Sequence, residues 1–302
     1  NLFFVLDSSI DEREQERSVA EFPLFFLIRE SKEGLFINVQ YDTNLFSTRA
    51  VKGILKSYFE IIKGFLENEK IYLKDYLCAT ANEKDRIINE FNNTEISYPQ
   101  DASCYELFKN QVKVNPDSIA IYYEMKTISY KQLFTRAENI ASYLYDVGVR
   151  PNQYIAICLE RSPDLIASLL ACFKLHCAYV PLDPNLPQSR LLRILNEPGI
   201  EAIICQSSTN SKLPLHEINI PTIRLEEELP LHNIPTIEFD IRSPSYRLFT
   251  SGSTGEPKTV TIFQSNLLNL LYWAKDTLNP ESLKGVLAGS SINFDASVLE
   301  IF

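Results

Sequence analysis

The chain has 302 residues, of which 45% are hydrophobic and 11% aromatic, enough for a sizeable core and for more than one domain. It carries 39 acidic and 29 basic side chains, a formal net charge of −10, so no overall positive field attracts nucleic acid. We therefore expect small or neutral partners.

The cysteines and the apolar runs indicate the cellular compartment in which we expect the chain. The six cysteines show neither the CxxC pairs of a structural zinc site nor the density of a disulfide-stapled secreted domain. No apolar run in the sequence reaches membrane-spanning length. We expect reduced thiols, a cytoplasmic location and no membrane partner.

Both ends of the chain have the character of cut ends. The opening NLFFVLDSSIDEREQER turns acidic where a signal peptide starts basic, and the closing SVLEIF stops inside an apolar pattern without a cap or polar tail. We expect a fragment of something longer.

The first hundred residues predict a small structured region and a connection. Alternating apolar residues predict a strand over 35–41, and apolar residues at helical spacing predict a helix over 51–66. Residues 78–103 are polar and rich in turn-forming residues, which is typical of a linker. A domain boundary is expected there.

Helices and strands alternate after residue 104. The predicted elements are a helix over Tyr130–Val147 stopped by Gly148, a strand over Tyr154–Leu159, a helix over Asp164–Leu175 entered through Ser162-Pro163, and a strand over Glu201–Gln206. This alternation predicts an α/β sheet flanked by helices. Residues 207–244 are expected to be irregular, with one short strand.

Residues 248–258, LFTSGSTGEPK, concentrate small and hydroxylated residues before a lysine. The strand-like SYRLF precedes them and the helical pattern FQSNLLNLLYWAK follows. A strand, a glycine-rich turn and a helix are typical of a phosphate cradle, to which Lys258 adds a positive charge. The spacing is not that of the Walker motif, and a flexible surface loop remains the alternative.

TSGSTGEPK resembles the signature loop of the adenylate-forming superfamily, which includes acyl-CoA synthetases, luciferases and the adenylation domains of nonribosomal peptide synthetases. In that family the loop wraps the phosphates of ATP. The residues to which the resemblance assigns this role are Thr250, Ser251, Gly252, Ser253, Thr254, Gly255 and Lys258.

Three further stretches resemble core motifs of peptide-synthetase adenylation domains. They are ISYKQLFTRAENIASYL (128–144), AYVPLDPNLPQSRLLRIL (178–195) and INFDASVLEIF (292–302). The resemblance implies that 104–302 form the truncated N-terminal part of such a domain. The implied fold is α/β: an incomplete adenylate-forming N-terminal subdomain with mixed sheets flanked by helices.

Asp295 has two interpretations. From the residues alone, an aspartate before ASVLEIF favours a helix N-cap. The match to FDxS instead implies that Asp295 binds the ammonium group of an amino-acid substrate in a partly apolar pocket. Phe294, Ala296 and Leu299 are assigned to the same pocket, which suggests a hydrophobic amino acid; its other residues are expected beyond Phe302.

Residues 21–66 resemble the closing stretch of a condensation domain. The resemblance assigns 1–77 to the end of a partial α/β condensation-like lobe and 78–103 to an interdomain linker. The motif HHxxxDG is absent from the sequence, whose histidines are His176, His216 and His232. Peptide-bond formation is therefore not assigned to this chain.

Together these motifs imply part of an elongation module. Its ATP-dependent ligase activity would use ATP and Mg²⁺ to form an aminoacyl-adenylate, then load the phosphopantetheine thiol of a peptidyl carrier domain next to a condensation domain. No catalytic or metal-binding residue is assigned within the chain, and the fragment alone is expected to be inactive. The alternatives are an acyl-CoA or aryl-acid ligase of the same superfamily, or a catalytically silent scaffold.

Some positions depart from the family pattern. Thr259 replaces a glycine, Gln264 stands where histidine is common, and Leu175-His176-Cys177 replaces a small, glycine-containing turn. His176 is interpreted as a satisfied structural histidine, and Trp273 as a core residue. The departures keep the silent-scaffold alternative open.

Overall fold

The computed structural model describes residues 2–6, 22–32, 34–67, 81–225, 233–250 and 258–302. They fall into two compact units, Asn1–Ile96 and Ser97–Phe302. The division lies inside the stretch expected to be a linker, although residues 81–90 of that stretch are helical. The exact domain bounds stay a prediction.

The first unit contains a three-stranded sheet and a long helix. Strands β1 (Leu2–Leu6) and β2 (Leu24–Ser31) are parallel, and β3 (Gly34–Tyr41) is antiparallel to β2. Helix α1 (Thr48–Glu67) packs Val51 against Leu24 and Phe26. The predicted strand and helix are confirmed here. A short helix α2 (Ala81–Asp85) runs into one π-helical turn (Arg86–Glu90).

The second unit is built on a mixed six-stranded sheet, which confirms the α/β prediction. Its strand order is β11-β10-β7-β6-β8-β9, parallel throughout except where β11 runs antiparallel to β10. The strands are β6 (Tyr154–Cys158), β7 (Ala178–Pro181), β8 (Ile200–Cys205), β9 (Thr222–Arg224), β10 (Pro244–Thr250) and β11 (Lys258–Phe263). Strands β4 (Ile119–Tyr123) and β5 (Lys126–Ser129) form a separate hairpin.

Helices cover the sheet of this unit. They are α3 (Cys104–Val114), α4 (Tyr130–Asp146), α5 (Pro163–Lys174), α6 (Gln188–Leu195), α7 (Ser207–Asn210), α8 (Gln264–Thr277) and α9 (Ala296–Ile301). Single 3-10 turns span Leu215–Glu217 and Ser282–Lys284. Within the described residues, none of these or the preceding helices has the length and apolar character that crossing a membrane demands.

The core lies on both faces of the sheet because side chains alternate along each strand. On β6, Ile155 and Ile157 belong to one hydrophobic cluster, and Ala156 and Cys158 belong to the other. All four are fully buried. A strand covered on both faces has apolar residues at successive positions. This continuous apolar run is the pattern that predicted β6.

Local sequence signals set several helix ends. Ser129 and Gln132 form a reciprocal capping box at the start of α4, and Gly148, with φ of +102°, follows its last turn. At α5 the hydroxyl of Ser162 accepts from the amide of Leu165 at 3.2 Å, and Pro163 occupies the first turn. Both predicted helices are confirmed within a residue or two.

Two side-chain predictions need correction. Trp273 is 47% exposed, because the buried face of α8 carries Gln264, Leu267, Leu268 and Ala274, and position 273 lies off that stripe. His176 is buried as expected and stacks near Phe239 at 5.6 Å. Its Nδ1, however, has no hydrogen-bond partner in the described part of the chain, so it is not fully satisfied.

Candidate functional site

The glycine and hydroxyl loop connects two antiparallel strands. Thr250 ends β10, Lys258 begins β11, and the two residues are directly paired, with the Thr250 hydroxyl donating to the Lys258 carbonyl at 3.3 Å. The helix predicted over FQSNLLNLLYWAK is confirmed as α8, but the predicted direct passage from loop to helix is wrong, because strand β11 lies between them. The missed signal is the sequence TVTIF, whose β-branched and aromatic residues favour a strand.

This topology changes which groups of the chain are available to bind a phosphate. The dipole of α8 begins a whole strand away from the loop, so the helix N-terminus is not part of the site. What remains is Lys258, which is exposed, and the backbone and hydroxyls of the loop. Of the predicted phosphate-binding residues, Ser251, Gly252, Ser253, Thr254 and Gly255 lie outside the described residues.

The two departures near the loop have different consequences. Thr259 lies within β11 opposite Phe249, a regular strand position that accepts a β-branched residue. Gln264 is fully buried at the first turn of α8, and both polar atoms of its amide lack a hydrogen-bond partner among the described residues. Of the two, only Gln264 carries a free-energy cost, that of burying polar atoms without hydrogen bonds.

Asp295 directly precedes α9, and its side chain makes no capping hydrogen bond. Its backbone is helical, with φ of −61° and ψ of −29°, whereas an N-cap residue is normally extended. The residue is exposed. Its carboxylate therefore does not serve the helix.

The charge of Asp295 acts on Tyr246 of β10. Burial raises the pKa of Tyr246, and the nearby Asp295 carboxylate raises it further. Tyr246 is buried and stacks on Tyr179 of β7 with ring centroids 5.4 Å apart. The sequence reasoning missed Tyr246, although it is an aromatic residue in the strand SYRLF that leads into the loop.

Tyr246 and Thr250 lie on the same face of β10, because they are four residues apart and strand side chains alternate. Their Cα atoms are about 13 Å apart along the strand, at about 3.3 Å per residue. Thr250 is the last residue of β10, at the carboxyl end of the parallel strands, where ligands of open α/β sheets bind. Thr250, where the loop begins, and Tyr246, whose pKa the Asp295 carboxylate raises, thus share one face of β10.

The other predicted pocket residues are open to solvent. Phe294 is 68% exposed and Leu299 37% exposed, and Ala296 is also exposed. The described residues therefore place Phe294, Asp295, Ala296 and Leu299 together without enclosing them in the expected partly apolar pocket.

A cavity of about 780 Å³ lies elsewhere in the second unit, against α3, α5 and the segment before α9. Its walls include Phe108, Leu165, Arg161, Ile292 and Phe302, but neither Asp295, Thr250 nor Lys258. It is separate from the candidate substrate site.

A protein-built metal site would need several clustered ligand side chains. The described part of the chain contains no group of three His, Cys, Asp or Glu side chains able to hold a metal ion. These residues therefore do not fit a Mg²⁺ site built by the protein alone.

A mixed sheet with a glycine and hydroxyl loop after β10, next to the edge strand, is compatible with a nucleotide-activating class of enzyme. Residues 108–302 match the AMP-binding enzyme family. The chain belongs to this family of AMP-binding enzymes, and its second unit has the fold of the adenylate-forming N-terminal subdomain.

Sequence relatives are peptide synthetases. Gramicidin S synthase 2 of Brevibacillus brevis is 34% identical over 292 residues, which cover 94% of this chain and 6% of the relative. Bacitracin synthase 1 of Bacillus licheniformis is 30% identical over 287 residues, 94% of this chain and 5% of the relative. The chain thus spans a small part of the proteins that it matches.

Solved structures share the fold. A four-domain nonribosomal peptide synthetase bound to AMP and glycine superposes with a TM-score of 0.75 at 22% identity, covering 94% of this chain and 21% of that protein.

Proposed function

We propose that this chain is part of a nonribosomal peptide synthetase module and that its second unit is the N-terminal part of an adenylation domain, which activates an amino acid with ATP. The observation that carries the proposal is the match of residues 108–302 to the AMP-binding enzyme family, with sequence relatives that are peptide synthetases. A carboxylate and a phosphate-binding loop suit two substrates, an amino acid with an ammonium group and a nucleotide with a polyphosphate.

The proposed reaction has one bond-forming step. A carboxylate oxygen of the amino acid attacks the α-phosphorus of ATP, the bond from that phosphorus to the bridging oxygen breaks, and pyrophosphate leaves with its electron pair. The product is an aminoacyl-adenylate. Such a reaction depends on positioning and charge neutralisation rather than on a covalent enzyme intermediate.

Asp295 is proposed to bind the ammonium group of the substrate. Its carboxylate is not used by α9, so it is available to accept charge-assisted hydrogen bonds. The preference for a hydrophobic amino acid is proposed from the motif, in which Ala296 and Leu299 are a small and an apolar side chain that the described residues leave exposed. An acyl or aryl substrate without an ammonium group would leave this carboxylate without a partner.

The loop is proposed to bind the ATP phosphates through Thr250, Ser251, Gly252, Ser253, Thr254, Gly255 and Lys258. Glycines allow backbone amides to approach phosphate oxygens, and Lys258 supplies charge. The pairing of Thr250 with Lys258 holds the two ends of the loop one strand spacing apart. Mg²⁺ is expected to arrive with the nucleotide.

The wider module is also a proposal. Residues 1–77 are assigned to the end of a condensation domain and 78–103 to a linker. This assignment is supported by matches that extend over 94% of the chain to multidomain synthetases.

The next proposed partner is a carrier domain with a phosphopantetheine thiol. An artificially fused adenylation–carrier di-domain of Klebsiella oxytoca matches with a TM-score of 0.60 at 24% identity, over 68% of this chain and 41% of that one. Five described cysteines are buried thiols, which supports a cytoplasmic location.

The test is amino-acid-dependent exchange of pyrophosphate into ATP by the parent synthetase over a panel of amino, aryl and acyl acids. The proposal expects exchange with one or a few amino acids, hydrophobic ones first. Activity with aryl or fatty acids alone would establish the ligase alternative. Binding of neither ATP nor any acid would establish the silent scaffold.

A further inference from the structure

Arg161 and Glu300 hold a segment that has no regular secondary structure of its own. Residues 286–295 lead into α9 and carry exposed apolar side chains, with Leu287 86% exposed and Phe294 68% exposed. Ile292 packs against the hydrophobic core, but residues 286–289 are all exposed. Hydrogen bonds therefore supply the restraint on that part of the segment.

Arg161 holds the segment from the sheet side. It lies in the connection between β6 and α5, at the carboxyl end of the central strand. Its guanidinium donates to the carbonyls of Ala288 and Gly289, the second at 2.6 Å. A planar guanidinium spans two successive carbonyls in a way that a lysine ammonium does not.

Glu300 holds the next residue from α9. Its carboxylate accepts from the amide of Ser290 at 2.8 Å and from the Ser290 hydroxyl at 2.6 Å. The pKa of Glu300 is lowered by these two Ser290 hydrogen bonds, hydroxyl first, with smaller contributions from the Gly289 amide and the charge of Arg161. Three consecutive residues, 288–290, are thus held by two charged side chains.

Short-range turns carry this restraint on to Asp295. The amide of Phe294 donates to the carbonyl of Ser291 at 2.9 Å, and the hydroxyl of Ser297 donates to the carbonyl of Phe294 at 2.6 Å. On the far side, α9 is anchored by Val298, which is 1% exposed. Asp295 therefore lies between a hydrogen-bonded clamp and a buried helix face.

We infer that Arg161 and Glu300 are positioning residues that hold Asp295 where the substrate ammonium group binds. The inference rests on the proposed function, since it assigns Asp295 that role. Neither residue needs to touch the substrate, because each acts through residues 288–290. Loss of the clamp is expected to weaken amino-acid binding while ATP binding stays unchanged.

The kinetic test uses Arg161→Ala and Glu300→Gln in the parent synthetase. We expect each to raise the KM for the amino acid roughly five- to tenfold and to leave the KM for ATP within about twofold. The double variant should raise the amino-acid KM by less than the product of the two single-variant increases, because both changes release the same segment. Arg161→Lys keeps the charge but loses the planar pair of donors, so it should give an intermediate KM. It also provides a test if Arg161→Ala does not fold.

Arg150→Ala is the matched control. Arg150 also donates to two carbonyls, those of Tyr145 and Val149 at 2.8 Å each, but it does so at the end of α4. This variant should leave both KM values unchanged. An equal rise in the amino-acid KM for Arg150→Ala would mean that general loosening explains the effect and would overturn the positioning role.

Amide hydrogen exchange on the 302-residue chain separates the clamp from the proposed reaction. Arg161→Ala should speed exchange across residues 286–294 by roughly tenfold, and Arg150→Ala should not. Unchanged exchange in Arg161→Ala, or an unchanged amino-acid KM in an active synthetase, overturns the inference. A wild-type synthetase without acid-dependent exchange would instead overturn the proposed function, and with it the role assigned to Asp295, while the amide data still decide whether the clamp exists.

Discussion

Thr250 and Lys258 face each other across the hairpin of β10 and β11, with the hydroxyl of Thr250 3.3 Å from the carbonyl oxygen of Lys258. The pair fixes where the intervening loop leaves and re-enters the sheet. In the proposed site, Lys258 at the start of β11 is a described residue that would supply positive charge to a bound phosphate.

Lys258→Ala in the parent synthetase should lower kcat/KM for ATP about tenfold to a hundredfold, because a charge-assisted contact to phosphate is lost. Pyrophosphate exchange at varied ATP concentration measures this. Lys126→Ala, an exposed lysine on β5, is the control. Identical kinetics for the two variants would show that Lys258 points into solvent.

Asp295→Asn should raise the amino-acid KM roughly tenfold or more, the scale of losing one charged partner. The melting temperature and the KM for ATP should hardly change, because Asp295 makes no capping bond. Thermal unfolding and pyrophosphate exchange provide the two measurements. A lower melting temperature with unchanged amino-acid affinity would identify Asp295 as a helix cap.

Glu138 is the centre of a partly buried polar group that joins three helices. Its carboxylate accepts from the Tyr105 hydroxyl and pairs with Lys174. Burial and this bond raise the pKa of Tyr105, which keeps the phenol protonated. Glu138→Ala should destabilise the second unit by about 2 to 4 kcal/mol, since Lys174 is left without its partner in a site only 19% exposed.

Chemical unfolding of the chain measures the Glu138 effect. The comparison is Glu281→Ala, which removes an exposed ion pair with Lys284 at 2.7 Å and should cost less than about 1 kcal/mol. Equal losses of unfolding free energy in the two variants would show that burial does not strengthen the interactions of Glu138.

His176 predicts a dependence of stability on acid. Burial lowers its pKa below the ordinary 6.5, and the Glu106 carboxylate and a backbone hydrogen bond with Ile237 oppose this only in part. Since the unfolded chain takes up the proton first, the stability that neutral His176 supports is complete above pH 6.5 and is lost as the pH falls through its lowered pKa.

The test is the melting temperature of His176→Asn relative to wild type. Asparagine tolerates the positive φ of +52° at this position but does not titrate. The melting temperature of His176→Asn should rise relative to that of wild type as the pH falls from neutral to acidic values. His216→Asn is the control, since this imidazole is 76% exposed. A pH-independent difference would contradict the assignment.

Gln264→Met should stabilise the second unit by about 1 to 2 kcal/mol. The change keeps the length of the side chain and removes two buried polar atoms that have no partner within the described residues. Unfolding in urea checks it, with Gln206→Met as a control near the surface. Destabilisation would show that an internal water satisfies the amide of Gln264.

The sequence by itself determined the features that depend on neighbours within a few residues. Ser129 and Ser162 cap their helices, Gly148 follows one, and the apolar run at Tyr154–Cys158 forms a strand buried on both faces. Caps, turn residues and side-chain periodicity act over one or two turns of chain, so they can be read without a fold. The motif in the loop identified its family for the same reason.

Only the tertiary structure decided which distant residues meet. The pairing of β11 with β10 placed a hairpin before the expected helix, and the charge of Asp295 acts on Tyr246, 49 positions earlier in the chain. Arg161 reaches Gly289 across 128 residues of chain. Such contacts depend on how the sheet is assembled, and local propensity carries no information about a partner that far away.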